Sequence, residues 1–204
     1  MKLLLSYNEF LKKENFGIVE NANNELVLYH GTQANFDVFD QSHINTGWGE
    51  QAYGYGFYLT DYYEAAKEYS RGGRVIKVTV PSKKYLSYKG ITLTEKRNIA
   101  NKFFKYYTEV DEYGKTAYPT PESKKEFWNE ECKYLVDCND GGDIYGTIAS
   151  LLGSDKETSE FLKSIGYVGI KFPGSNGSTG EKFTNYVIFD AKDIKIINKT
   201  YAIH

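Results

Sequence analysis

The sequence predicts a single α+β domain in which β-strands stand before and after a block of helices. The clearest strand signal is Val75–Val80, a run rich in β-branched residues that is stopped by Pro81. From about residue 85 to residue 160 the sequence turns charged and aromatic, with apolar residues at helical spacing. Strand-like apolar runs return after residue 165. No internal repeat is found, so the 204 residues are interpreted as one domain with a helical insertion.

Before the insertion, spacing and capping signals define the elements. Thr60 or Asp61 can cap the helix that follows the second strand, because both side chains can accept a hydrogen bond from its first turn. The packed face of that helix is predicted to be Tyr62, Ala65, Ala66 and Tyr69. In order, the predicted elements are an N-terminal helix within residues 1–20, strands over Glu25–Tyr29 and Phe57–Thr60, a helix over Asp61–Ser70 and the strand Val75–Val80.

The later elements follow from the same periodicities. Helices are predicted over Thr94–Val110, Pro121–Val136, Asp143–Leu152 and Lys156–Ile165. Strands are predicted over Tyr167–Phe172, Asn185–Asp190 and Ile194–Ile197, with a loop at Pro173–Gly180 between the first two. The core is therefore expected over residues 25–84 and 160–198, with the insertion at about 85–160.

Composition and charge exclude several classes of function. The net charge of −2 and the pI near 6.0 give no overall basic field for nucleic acid, but they leave a small local basic patch open. Lys124-Lys125, flanked by glutamates, is interpreted as a solvated helix face rather than such a patch. Cys132 and Cys138 are expected to be free thiols, and no cluster predicts a metal site. Neither a signal peptide nor a membrane span is predicted, so we expect a soluble, cytoplasmic protein.

Two short segments predict the functional site. His30 and Gly31 follow an apolar run, and the segment Gly54–Tyr58 alternates glycines with aromatic residues. Together they offer a polar anchor, a bare backbone and a ring for stacking, which a flat heteroaromatic ligand requires. His43 and His204 are expected to be solvated.

Four short motifs, in this order, resemble an ADP-ribosyltransferase. They are Tyr29-His30-Gly31-Thr32, the glycine-rich stretch from Gly47 to Tyr58, Gly166-Tyr167-Val168-Gly169-Ile170 and Asn185-Tyr186-Val187-Ile188-Phe189-Asp190. The pattern is similar to the His–Tyr–Glu active sites of diphtheria-toxin-like enzymes and poly(ADP-ribose) polymerases. It is most similar to small ADP-ribosyltransferase domains of bacteriophage and mobile-element polyvalent proteins. Over residues 25–80 and 160–198, the resemblance implies a split β-sheet core with the helical block as an insertion.

The resemblance also implies NAD as the substrate cofactor and a role for each motif residue. His30 matches the histidine that hydrogen-bonds the adenosine ribose, and Gly31 matches the glycine whose backbone holds the nicotinamide amide. Tyr58 matches the tyrosine that stacks on the nicotinamide ring. The remaining predicted cofactor contacts are Thr32, Gln51, Gly56 and Tyr69.

The last motif departs from the pattern at its acid. Asn185 stands where the glutamate is expected, and an asparagine brings no negative charge to an oxocarbenium-like transition state. Three interpretations stay open: Glu181 or Glu50 replaces the acid, a polar Asn185 suffices with a strong nucleophile on the target, or the domain binds NAD without turnover. We count His30, Tyr58, Asn185 and Glu181 as the catalytic candidates.

The function that we expect is mono-ADP-ribosyl transfer from NAD to a macromolecule, either a protein or a nucleic acid, with release of nicotinamide. The resemblance further suggests a toxin or a phage–host conflict effector and leaves room for an inhibitor or antitoxin partner. The alternatives are a non-catalytic module that binds NAD, ADP-ribose or a partner protein, and an NAD glycohydrolase.

Overall fold

A computed structural model describes residues 24–44, 52–109 and 117–201. The predicted N-terminal helix, Glu50 and Gln51 lie outside these ranges. The described residues fall into two compact units. The first contains residues 24–44, 56–83 and 172–201, and the second contains residues 52–55, 84–109 and 117–171.

Seven strands form a mixed sheet, and with the helices they confirm the α+β prediction. The strands are β1 (Glu25–Thr32), β2 (Phe57–Thr60), β3 (Arg74–Pro81), β4 (Tyr85–Ser87), β5 (Gly169–Ser175), β6 (Lys182–Ile188) and β7 (Lys195–Tyr201). Their order is β4-β5-β6-β2-β1-β3-β7. The pairs β1–β2, β1–β3, β2–β6 and β3–β7 are antiparallel, and β4–β5 is parallel.

The pairing between β1 and β2 in the first unit is short. Between β1 and β3 the register runs from Glu25 opposite Pro81 to Thr32 opposite Arg74. Between β1 and β2 the registered pair is Tyr29 opposite Thr60. The first motif lies on β1 and the second ends on β2, beside that pair.

Helix α1 (Tyr63–Ser70) begins later than predicted and is capped differently. Its N-cap is Tyr62, without a side-chain cap. The Asp61 carboxylate instead accepts a hydrogen bond from the Thr184 amide at 2.8 Å. The Thr60 hydroxyl accepts from the amide of Tyr62 at 3.2 Å, so neither side chain bonds an amide within α1 itself. The predicted packing of Tyr69 is also wrong, since 71% of its surface is exposed. The buried stripe continues from Ala66 to Ser70, one helical turn on, and not to Tyr69.

The second unit is mostly helical. Its helices are α2 (Leu93–Thr108), α3 (Pro121–Phe127), α4 (Lys133–Asp137), α5 (Gly141–Leu152) and α6 (Asp155–Ser164). The single helix predicted over 121–136 is interrupted by a π-helical segment, Trp128–Cys132. Phe127, Cys132 and Leu135 are buried, and their spacing of five and then three residues needs a wider turn at this point. No helix in the described ranges has the length and apolarity to cross a bilayer.

Strand ends near the C-terminus also differ from prediction. β5 begins at Gly169 and not at Tyr167, and it continues to Ser175 through much of the predicted loop. β6 begins at Lys182, so the turn is shorter than predicted. The amide of Asn176 donates to the carbonyl of Glu181 at 2.9 Å, which closes that turn. The three residues of β4 gave no sequence signal because the run is too short.

Tyr145 of α5 holds the backbone of Tyr55 within the second unit. The Tyr55 amide donates to the Tyr145 hydroxyl at 3.1 Å, and that hydroxyl donates to the Asp155 carbonyl at 2.8 Å. Ser159 donates to the Tyr55 carbonyl at 2.8 Å. The backbone N–H and C=O of Tyr55 are therefore both hydrogen-bonded by side chains of the helical block.

Candidate functional site

His30, near the end of β1, is fixed by a bond to the neighbouring strand. Its Nδ1 lies 2.9 Å from the carbonyl oxygen of Tyr58. Because a carbonyl oxygen only accepts, Nδ1 must carry the proton, and in the neutral ring Nε2 is then the acceptor atom. This contact joins the first two predicted motifs between the neighbouring strands β1 and β2.

Aromatic side chains surround the His30 ring and keep it neutral. The ring centroid of Phe39 lies 5.2 Å from that of His30, and Phe36 lies 6.3 Å away. Phe39 in turn contacts Phe57 of β2. Desolvation among these groups lowers the pKa of His30 below 6.5, and the bond to Tyr58 opposes this only in part. The ring is thus an uncharged hydrogen-bonding group at neutral pH.

Strand register assigns the other candidates to faces of the sheet. Thr60 pairs with Asn185, and Tyr58 with Val187, so Tyr58 and Asn185 lie on one face. His30 follows Tyr29, which pairs with Thr60, so alternation puts its side chain on the opposite face. The structure therefore brings Tyr58 and Asn185 together on one face, while His30 reaches Tyr58 through the backbone.

Gly31 and Gly56 are required by packing. A Cβ on Gly31 would lie 1.9 Å from the carbonyl oxygen of Ala66, because β1 passes directly against α1. A Cβ on Gly56 would lie 2.5 Å from the carbonyl oxygen of Ile188. Both glycines allow close approach of backbone to backbone. Their predicted cofactor contacts remain predictions.

Thr32 and Tyr69 lie in different settings. The Thr32 hydroxyl accepts from the amide of Ala34 at 3.1 Å, so this residue forms the turn that ends β1. Tyr69 presents an exposed ring on the last turn of α1. The exposed ring is compatible with stacking on a ligand, whereas the Thr32 hydroxyl already serves the fold.

Asn185 is placed by Gly174 on β5. A Cβ on Gly174 would lie 2.6 Å from the Asn185 amide nitrogen and 2.2 Å from the Phe183 ring, so the glycine makes room for both side chains. The Phe183 ring stacks on Tyr62 with centroids 5.3 Å apart and an interplanar angle of 18°. Asn185 therefore sits in a defined position with a neutral amide where a carboxylate was expected.

Glu181 is engaged by two hydroxyl groups. Its carboxylate accepts from the Tyr62 hydroxyl and from the Thr179 hydroxyl, the latter at 3.2 Å. Its carboxylate raises the pKa of Tyr62 to about 12. These two hydrogen bonds engage the carboxylate within the turn that precedes β6.

Sequence reasoning missed Asp61 and Tyr62 as organisers of this region. Asp61 is a partly buried carboxylate whose pKa is raised by desolvation, and it ties the end of β2 to Thr184. Tyr62 ties the start of α1 to Glu181. Their partners lie more than a hundred residues away in sequence, so no local signal announces them. Among the described residues, no cluster of three His, Cys, Asp or Glu side chains could hold a metal.

Comparison with known proteins now identifies the family. The family model described as "ADP-Ribosyltransferase in polyvalent proteins" matches residues 22–202. The chain belongs to this family. The match runs from before β1 to the end of β7 and therefore includes the helical insertion of this ADP-ribosyltransferase domain. Comparisons with curated proteins and with solved structures give no significant match.

Proposed function

We propose that this ADP-ribosyltransferase domain takes ADP-ribose from NAD and transfers a single unit to a macromolecular acceptor, releasing nicotinamide. The observation that carries the proposal is the bond between His30 Nδ1 and the Tyr58 carbonyl. It links the two predicted NAD-binding motifs through the Tyr58 backbone. Because the side chains of His30 and Tyr58 lie on opposite faces of the sheet, the proposal requires NAD to reach both faces at this point. We expect the reaction to take place inside cells, where NAD is available.

The two motif residues would hold the substrate by different means. With Nδ1 committed to a carbonyl, the neutral His30 ring presents Nε2 to a ribose hydroxyl, which donates the hydrogen bond. The Tyr58 ring offers a face for stacking against the nicotinamide, in contact with Phe172 at its edge. Stacking also keeps water from the bond that breaks.

The reaction breaks the bond between nicotinamide and ribose. The electron pair of that bond leaves with the nicotinamide, which becomes neutral, and positive charge develops on the sugar. A nucleophile on the acceptor then forms the new bond to the same carbon and gives up its proton. Asn185 can orient a ribose hydroxyl but cannot offset the charge, so the acceptor must supply a strong nucleophile. Polymer growth is not expected without the glutamate.

Asn185 also favours a second candidate function. Because Asn185 itself brings no negative charge to the transition state, the domain could bind NAD or ADP-ribose without turnover. A further alternative is an NAD glycohydrolase, in which water is the acceptor. These functions differ in whether nicotinamide is released and whether label is retained on a macromolecule.

The test uses NAD labelled on its adenylate half, incubated with the protein and a cell lysate. Retained label that is lost on protease treatment identifies a protein acceptor, and label lost on nuclease treatment identifies a nucleic acid. Free nicotinamide without retained label indicates hydrolysis. No nicotinamide at all contradicts both enzymatic functions and leaves the binding module.

Tyr58→Ala provides the matching site variant. We expect NAD affinity to fall by about 1–3 kcal/mol, as when a stacking ring is lost. Tyr134→Ala is the control, because that tyrosine is 63% exposed on α4. Equal affinity in the two variants would remove Tyr58 from the site.

A toxic or conflict role extends the same proposal and rests on the resemblance to phage-type domains. We expect expression of the chain in bacterial cells to slow growth and Tyr58→Ala to restore it. Growth that is unaffected by the wild-type chain contradicts the toxic role and leaves the transfer reaction to the labelling test.

A further inference from the structure

A pocket on the second unit lies between helices α2 and α3 and contains none of the predicted site residues. Its volume is about 430 Å³. It is lined by Asn101, Phe104, Pro121, Lys124, Lys125 and Trp128. Two aromatic rings, two lysines and one amide therefore converge on one shallow surface.

The aromatic floor of this pocket consists of Phe104 and Trp128, and ring contacts hold both side chains in place. Phe104 and Trp128 meet edge to face, with centroids 5.5 Å apart and an interplanar angle of 88°. Phe104 also stacks on Phe127, which is buried. Both floor rings remain partly exposed. Trp128 opens the π-helical segment, a feature that is common at functional sites.

The charges of α3 are divided between its two sides. Pro121, Lys124, Lys125 and Trp128 recur at intervals of three and four residues and so share the face that lines the pocket. Glu122 and Glu126 fall outside this face. No ion pair within the described ranges joins either lysine to a carboxylate. A stretch that looks neutral in sequence therefore presents positive charge to the pocket.

We infer that this pocket binds single-stranded nucleic acid. An unpaired base fits against Phe104 and Trp128, since every base has a face for stacking. Lys124 and Lys125 can then meet the adjoining phosphates, and the Asn101 amide offers both a donor and an acceptor to a base edge. An acidic peptide would satisfy the lysines but leave the aromatic floor without a planar partner.

The role of this pocket rests in part on the proposed function. If the domain transfers ADP-ribose to a macromolecule, this pocket would hold the acceptor. Single-stranded nucleic acid is then the acceptor class. Binding itself requires no NAD. Its test can therefore fail while the transferase proposal stands, and the converse also holds.

The experiment measures anisotropy of fluorescein-labelled oligothymidylate and oligouridylate of about twelve nucleotides, without NAD. Salt is varied between about 50 and 200 mM. We expect the logarithm of affinity to fall linearly with the logarithm of salt, and Lys124→Gln to reduce that slope by about 0.7. Lys133→Gln, which removes an exposed lysine outside the pocket, is the control and keeps the wild-type slope.

Aromatic substitutions complete the test. Trp128→Ala is expected to weaken binding about tenfold, the cost of one lost base stack, and Trp128→Phe to retain most of it. Absence of binding overturns the inference, as does an unchanged salt slope in Lys124→Gln. Competition by polyglutamate as effective as that by unlabelled oligonucleotide also overturns it, because the site would then recognise acidic chains in general.

Discussion

At the end of β1, His30 is held by the Tyr58 carbonyl at 2.9 Å and enclosed by Phe36 and Phe39, so its ring has one proton, one tautomer and no charge. On β6, Asn185 is placed just as firmly beside Gly174, yet it has no ionisable group. Both side chains are packed against neighbouring strands or rings, and neither is charged at neutral pH.

The difference lies in what each neutral group can do. A neutral histidine suits a ribose hydroxyl, since binding requires only an acceptor atom. A neutral amide does not suit the bond-breaking step, in which positive charge develops on the sugar. Under the proposed function, the β1 end supplies the group needed for binding, whereas the β6 end would leave part of the chemistry to the acceptor.

Restoring the acid should produce the largest effect. We expect Asn185→Glu to raise the rate of nicotinamide release about a hundredfold, the effect of one well-placed electrostatic contact. Asn185→Gln has the same length without the charge and is expected to show no such gain. Release is measured with labelled NAD at saturating concentration. Equal rates in the two variants would show that charge at residue 185 does not limit the reaction.

Adding one methyl group at Gly31 tests how closely β1 packs against α1. Because a Cβ there meets the Ala66 carbonyl at 1.9 Å, we expect Gly31→Ala to lower the free energy of unfolding by about 1–3 kcal/mol. Gly146→Ala is the control, since a Cβ on that helical residue meets nothing within 4 Å. It should stabilise by about 1 kcal/mol. Both are measured by urea unfolding, and a stable Gly31→Ala chain would contradict the packing described for β1.

The neutrality of His30 should appear as a pH dependence of stability. Its pKa in the folded chain lies below 6.5, so the unfolded chain binds more protons between the two values. The contribution of His30 is therefore complete above pH 6.5 and is lost as pH falls toward the folded pKa. His30→Asn keeps a donor for the Tyr58 carbonyl but does not titrate, so its stability should fall less over that window. Equal pH dependence in both chains would show that the ring is not desolvated.

The smallest effect is expected from Glu181. Its carboxylate is engaged by Tyr62 and Thr179, so Glu181→Gln should change nicotinamide release less than about threefold. A hundredfold loss, typical of a removed electrostatic contact, would instead show that Glu181 leaves Tyr62 and acts on the ribose. Circular dichroism of the same variant checks that the turn at Asn176 is intact.

Local signals predicted those parts of the fold that depend on neighbouring residues. Phe57–Thr60 was predicted with its observed bounds, because glycines precede it and a capping signal follows. The same signal misled at Asp61, whose carboxylate is used by a strand more than a hundred residues later. Tyr69 and the π-segment at Trp128 were missed for a similar reason, since the depth of packing around a helix is decided by distant partners.

The candidate site shows the same limit. His30 and Tyr58 could be paired through their motifs, but the tautomer of His30 follows only from the carbonyl that it meets. The hydrogen bond from the Tyr62 hydroxyl to the Glu181 carboxylate likewise has no sequence signature. Sequence identified which residues to examine, and structure was needed to say which proton or charge each one holds.

The hydrogen bonds from Tyr145 and Ser159 to the backbone of Tyr55 determine which shorter fragments of the chain keep this segment in place. Deleting residues 84–171 would remove the two hydroxyl groups that bond the backbone N–H and C=O of Tyr55, three residues before Tyr58. A fragment reduced to the strands would thus lack the hydrogen bonds that hold the backbone of Tyr55. The helices of the second unit therefore belong in any fragment that is used to test NAD binding.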